Sequence, residues 1–304
     1  MPEKITDQGA LRQALFALLN LSPDRPVAAP KGGERSRLAI PGGTRIDLEI
    51  DGAPATLLHP GGCPPAILYC HAHGGDYSLG RRELTEGAWW LSAPFGDTLL
   101  RRGYAVLCMD MPGFGDRQAE GSEAVLAKAG FWHGRPLFGQ MIEGQRRAVD
   151  WLVASGLVDA GRIAAMGVSM GAAHSFWLGA LDDRIGAVAQ FCMLADLAPM
   201  IATGSHDHHG FYLCVPGLLS LCEMGDVAAL VAPRPQFVAH GAQDALAPSA
   251  ARSAACDRLL RAYGQSDALT LMIDPEAGHA ETPLMRRAAL QFLARWSGLG
   301  DQAE

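Results

Sequence analysis

Residues 162–171 read RIAAMGVSMG. An apolar run of strand length ends in Gly167-Val168-Ser169-Met170-Gly171, and a helical pattern follows over Met170–Leu181. The five residues fit G-x-S-x-G. A sharp turn from strand to helix forces its serine into a strained backbone conformation, and flanking glycines let the two elements approach without Cβ clashes. The hydroxyl then stands clear of the sheet at a helix N-terminus, where developing negative charge is favoured. Ser169 is the candidate nucleophile.

Outward from this turn the chain alternates between two kinds of segment. Short β-rich runs occur at Ala66–His71, Tyr104–Asp110, Arg162–Ser169, Ile185–Cys192, Pro235–Gly241 and Leu269–Pro275. They are nearly continuous in apolar residues, as expected of strands covered on both faces. Helical patterns lie between or after them, at Gln140–Ser155, at Met170–Leu181, and after Thr282-Pro283, an N-cap and first helical position. Such alternation predicts an α/β fold with a mostly parallel sheet and helices on both sides. Before it, Arg37–Ile40, Arg45–Ile50 and Ala55–His59 read as an antiparallel edge meander. Residues 1–34 read as an N-terminal helical extension and 35–304 as one domain. Residues 193–232 break the rhythm and read as a cap-like insertion before the strand that carries the acid.

A serine hydroxyl needs a base, and the base needs an orienting acid. Both should follow later strands. Asp244 follows PQFVAHG and His279 follows LTLMIDP, so the order is Ser169, Asp244, His279. The rival acids Asp267 and Asp274 fit less well, one preceding the last strand and the other inside its end. Two donors should hold the oxyanion. The first is the N–H of Met170. The second comes from the loop His71-Ala72-His73-Gly74-Gly75-Asp76-Tyr77, with Gly75 preferred and Asp76 and Tyr77 as alternates.

The pieces HAHGG (71–75), DMPGFGDR (110–117), GVSMG (167–171), GAQDALAP (241–248) and EAGH (276–279) resemble the α/β-hydrolase superfamily. They are most similar to its dienelactone-hydrolase-like and acetyl-xylan-esterase-like branch. The resemblance covers roughly residues 35–298. It implies an eight-stranded doubly wound sheet and a cofactor-free acyl-enzyme mechanism. A dienelactone hydrolase would carry Cys where this chain has Ser169, which argues against that activity.

Within the insertion, Ser205-His206-Asp207-His208-His209-Gly210 invites a metal reading, but no second ligand cluster is evident, so no metal is expected. The segment reads instead as a loop at the site's mouth. His209, Phe211 and Tyr212 are substrate-pocket candidates. Arg135 is another, able to grip a carboxylate or to form a structural ion pair.

Composition narrows the partners. Apolar residues make up 49% of the 304 and charged residues 19%, with net charge −7. No basic block is present, so nucleic acid is not expected as a partner. No stretch approaches the ~20 apolar residues that span a bilayer, so neither is a membrane. The N-terminus reads as a short amphipathic helix rather than a signal peptide, and the seven Cys, odd in number and without a CxxC pair, read as reduced thiols. The expected location is cytoplasmic. The expected activity is hydrolysis of a small-molecule carboxylic ester, with a homodimer left open. The rivals are an amidase, peptidase, thioesterase or acyltransferase on the same serine, and a binding protein that has lost catalysis.

Overall fold

The computed structural model describes residues 5, 7–24 and 30–300. Nine strands form one sheet: β1 Glu34–Ile40, β2 Gly43–Ile50, β3 Ala53–His59, β4 Ala66–Cys70, β5 Ala105–Met109, β6 Ile163–Val168, β7 Ile185–Phe191, β8 Gln236–Gly241 and β9 Leu269–Asp274. Their order is β1-β2-β3-β5-β4-β6-β7-β8-β9. The antiparallel meander β1–β3 joins β5, and every pairing beyond it is parallel. The count of eight implied by resemblance is thus corrected to nine, because all three meander segments form strands. The architecture is the α/β-hydrolase fold.

The helices are α1 Gln8–Leu18, α2 Glu83–Glu86, α3 Phe95–Arg101, α4 Glu123–Trp132, α5 Leu137–Ser155, α6 Met170–Leu181, α7 Leu197–Thr203, α8 Leu218–Leu221, α9 Met224–Ala229, α10 Ser249–Tyr263 and α11 Pro283–Ser297. The strands feed two cores by alternation. Leu57 and Leu68 face the core built with α1, α5, α6 and α9, whereas Leu58, Ile67 and Tyr69 face the one built with α3 and α11. All twelve residues of α6 are buried. Apart from His174 and Ser175 it is apolar on every face, as an interior helix is, and it carries the serine turn on its N-terminus. Leu11, Leu15 and Phe16 of α1 lie in the same core as α5 and α6, so that helix is packed into the sheet's cover.

β9 differs from the expected doubly covered strand. It is the sheet edge, and Ile273 is 61% exposed. The other parallel strands are buried almost throughout. No helix among the described residues is long and apolar enough to cross a membrane.

Because β4, β6, β8 and β9 run parallel, their C-terminal ends share one edge. β4 lies between β5 and β6, so successive connections leave it in opposite directions. A crevice opens at such a reversal, outside the carboxyl ends of the strands.

Candidate active site

Ser169 occupies the turn between β6 and α6 with φ 53° and ψ −117°. This left-handed region costs a non-glycine residue about 1–3 kcal/mol. The surroundings hold it there. Its N–H donates to the Phe191 carbonyl at 2.9 Å, and its carbonyl accepts the N–H of Ala173 at 3.1 Å. The flanking glycines are sterically required. A Cβ on Gly171 would lie 1.9 Å from the Cys70 carbonyl oxygen, and one on Gly167 would lie 2.5 Å from it.

Asp244 and His279 meet Ser169 at this edge. The imidazole of His279 lies between them, with Nε2 2.7 Å from Ser169 Oγ and Nδ1 2.8 Å from Asp244 Oδ2. The chemistry of the atoms fixes the direction: Nδ1–H donates to the carboxylate, and the serine hydroxyl donates to Nε2. The second oxygen of Asp244 accepts the N–H groups of Leu246 and Ala247 at 2.9 and 3.2 Å. These fix the carboxylate's plane. The acid and histidine loops touch through Gly241, where a Cβ would lie 2.1 Å from the Gly278 carbonyl oxygen. The rival acid Asp274 is used otherwise, accepting the Thr282 hydroxyl at 2.8 Å.

Met170 opens α6, so its N–H is among the first four of a helix and lacks an intrahelical acceptor. The loop after β4 is held by side chains. Glu83, buried, accepts the Ala72 N–H at 2.7 Å and the Tyr69 hydroxyl at 2.5 Å. His71 donates from Nδ1 to the Ala72 carbonyl at 2.9 Å and accepts the Met111 N–H at 3.2 Å. The N–H of Gly75 donates to Nδ1 of His73 at 3.1 Å, and the N–H of Asp76 to the His73 carbonyl at 2.6 Å. The amides of the preferred Gly75 and of its alternate Asp76 are therefore engaged within the loop. Burial pushes the His73 imidazole down to about 4, helped by the neighbouring histidines. It is neutral near pH 7, as an Nδ1 acceptor must be.

Ser169 and His279 open into a cavity of about 490 Å3, which is also lined by His209, Phe211 and Tyr212 of the β7–β8 segment. Arg135 does not line it. Gly134 takes φ 64°, and the Arg135 N–H closes the end of α4 on the Gly130 carbonyl at 2.8 Å. Its side chain is left exposed. Further residues complete the wall. Glu123, at the start of α4, accepts the N–H groups of Phe211 and Tyr212 at 3.1 and 2.7 Å. Leu246 lines the cavity from the acid loop, and Trp89 lines it beside Gly74. Of the HxHH run, His208 and His209 both line this cavity, and His209 also bonds the Leu246 carbonyl at 2.9 Å.

Comparison with known proteins agrees with this architecture. The profile of the X-Pro dipeptidyl-peptidase (S15) family matches residues 43–276. A Bacillus subtilis (strain 168) protein named "Putative hydrolase YtaP" is 35% identical over 295 residues, covering 94% of this chain and 98% of that one. The glucuronoyl esterase from Solibacter usitatus superposes with a TM-score of 0.69 at 17% identity, over 96% of this chain and 92% of that one. Acetyl xylan esterase 1 from Thermoanaerobacterium sp. JW/SL YS485 gives 0.66 at 17% identity, over 97% and 95%. These two likenesses are of fold. The match over most of the chain, with the sequence likeness to the Bacillus protein, makes this chain a member of the X-Pro dipeptidyl-peptidase (S15) family.

Proposed function

We propose that the protein is a serine hydrolase that cleaves a carboxylic ester of a small molecule through an acyl-enzyme. The observation that carries this reading is the unbroken line Asp244–His279–Ser169, with contacts of 2.8 and 2.7 Å, opening into a cavity. Ser169 Oγ attacks the carbonyl while His279 Nε2 takes its proton. Asp244 holds the imidazole tautomer and stabilises its charged form. The N–H groups of Met170 and Gly75 receive the oxyanion, the latter on leaving His73. His279 then protonates the leaving alcohol, and water releases the acid by the reverse sequence. No cofactor enters these steps.

Residues 193–232 act as the cap of a domain spanning 35–304, with His209, Phe211 and Tyr212 as pocket wall. The free thiols suit a reducing compartment, the cytoplasm.

The names of the structural relatives favour an ester, and the family name favours a second reading, a peptidase acting on an X-Pro amide. The same serine serves both. Turnover of p-nitrophenyl acetate compared with an aminoacyl-proline p-nitroanilide separates them. Ser169→Ala should lower either rate by several orders of magnitude, and retention of near wild-type rate ends the nucleophile assignment.

A further inference from the structure

A second cavity lies beside the catalytic one, built wholly by the β7–β8 segment. Its volume is about 340 Å3, at the lower end of ligand pockets. Leu197, Met200, Ile201, Leu213, Val215 and Leu218 give it an apolar wall, and no Lys, Arg, Asp or Glu lines it. The two cavities share His209 and Gly210. This shared wall is fixed. The His209 imidazole is bonded to the Leu246 carbonyl at 2.9 Å, and burial holds it below the usual histidine range, so it carries no charge near pH 7. Gly210 is packed so closely that a Cβ would come within 2.8 Å of both the Glu123 carboxylate and the Tyr212 ring.

We propose that this second cavity seats an apolar arm of the substrate, an alkyl or aryl group attached to the acyl carbon held at Ser169 and passing over the His209–Gly210 rim that the two cavities share. The proposal rests on the nucleophile reading above and adds the substrate class. The catalytic cavity carries Glu123, Tyr77 and several histidines, which suit the polar ester. The adjoining cavity carries His206, His209 and Ser220 but is otherwise apolar, so to an apolar chain it offers mainly dispersion and desolvation. Ile201, half exposed at this wall, is the kind of surface that such a chain would cover.

The test uses p-nitrophenyl alkylphosphonates below their critical micelle concentrations. They react with the serine whether the natural bond is an ester or an amide. The Ser169 Oγ–phosphorus bond forms, the bond to p-nitrophenolate breaks, and the serine proton passes to His279. Burial of each methylene should raise the labelling rate about fourfold, so the octyl-to-butyl ratio should be on the order of 100. Ile201→Asp, on an exposed position, should lower that ratio at least tenfold. Val215→Trp, which fills the cavity from another side, should do the same. A ratio near one in the wild type overturns the proposal, as does a high ratio that neither variant changes. If p-nitrophenyl acetate is hydrolysed while the ratio is flat, the esterase reading stands and the subsite falls. If no phosphonate labels Ser169, the nucleophile reading falls and takes the subsite with it.

Discussion

The N–H of Gly75 donates to Nδ1 of His73 across 3.1 Å, within the loop that should furnish the second oxyanion donor. An amide cannot fully serve both acceptors. Its release from a neutral imidazole should cost about 1 kcal/mol in the transition state. His73→Phe keeps a ring among Tyr77, Phe114 and Tyr212 and removes the competing acceptor. We expect kcat to rise about fivefold with KM little changed. An unchanged kcat points to Asp76 or Tyr77 as the donor, and a tenfold fall means that the bond holds the loop in its working shape.

Asp244→Asn should lower kcat about 10^3- to 10^4-fold while barely moving the melting temperature. The side-chain oxygen can still accept from Leu246 and Ala247. The amide nitrogen then faces His279 and selects the wrong tautomer. Steady-state kinetics and thermal unfolding on the same preparation check this, and a fall below tenfold would remove Asp244 from its assigned role.

Gly171→Ala tests the serine turn itself. Its Cβ meets backbone of β4, which has no rotamer by which to yield. Either α6 or the end of β4 must shift, at a cost of about 2 kcal/mol or more, in line with overpacked cores. Activity should fall with stability. Wild-type kcat in a folded Gly171→Ala protein would contradict the geometry.

Two buried histidines set the acid limit of stability. Burial drives His174 down to about 3 and His240 down to about 4, and neither ring has a protein hydrogen-bond partner. Their folded-state pKa values lie below the unfolded value of about 6.5, so the unfolded chain binds protons first. Their contribution is complete above pH 6.5 and is lost as pH falls toward the folded values, at about 2 kcal/mol each by pH 5. Urea unfolding from pH 7.5 to 5 should show this decline, and His174→Gln should flatten it.

Glu83 has the opposite sign. Burial raises its carboxyl to about 7, despite the bonds from Tyr69 and Ala72. The folded state therefore keeps the proton longer than the unfolded one, and stability is lost as pH rises from about 4.5 through 7. Comparison with Glu83→Gln isolates the effect. The wild type should lose about 3 kcal/mol relative to the variant between pH 4.5 and 8. Parallel stability curves for the two proteins would count against the assignment.

The most legible parts of the sequence were those where steric necessity writes a pattern. Two glycines around Ser169 are demanded by contact with Cys70, and strand ends announce Asp244 and His279. The helix Ser249–Tyr263 was silent because its buried face is built largely of small residues, Ala251 and Ala255 before Leu259 and Tyr263, which give little hydrophobic contrast. Residue type alone points to Arg135 for the pocket, but its side chain is exposed and does not line the cavity. Glu123 carries no mark in the sequence because its partners are backbone amides 88 and 89 residues away, and such a pairing leaves no local trace.

Near the neck of the β7–β8 segment, Arg258 of α10 grips Asp196 at 2.8 Å and Asp226 at 2.7 Å, and Asp196 also accepts the Gly225 N–H at 3.0 Å. Glu223 reaches across to the Leu197 N–H at 2.9 Å. The two ends of the segment are thus tied to each other and to a helix of the main body. Chain between such ends can change in length at little entropic cost. The segment thus keeps its entry and exit fixed whatever it carries between them, and changes within it reach the serine's surroundings through His209 at Leu246 and Tyr212 at His73.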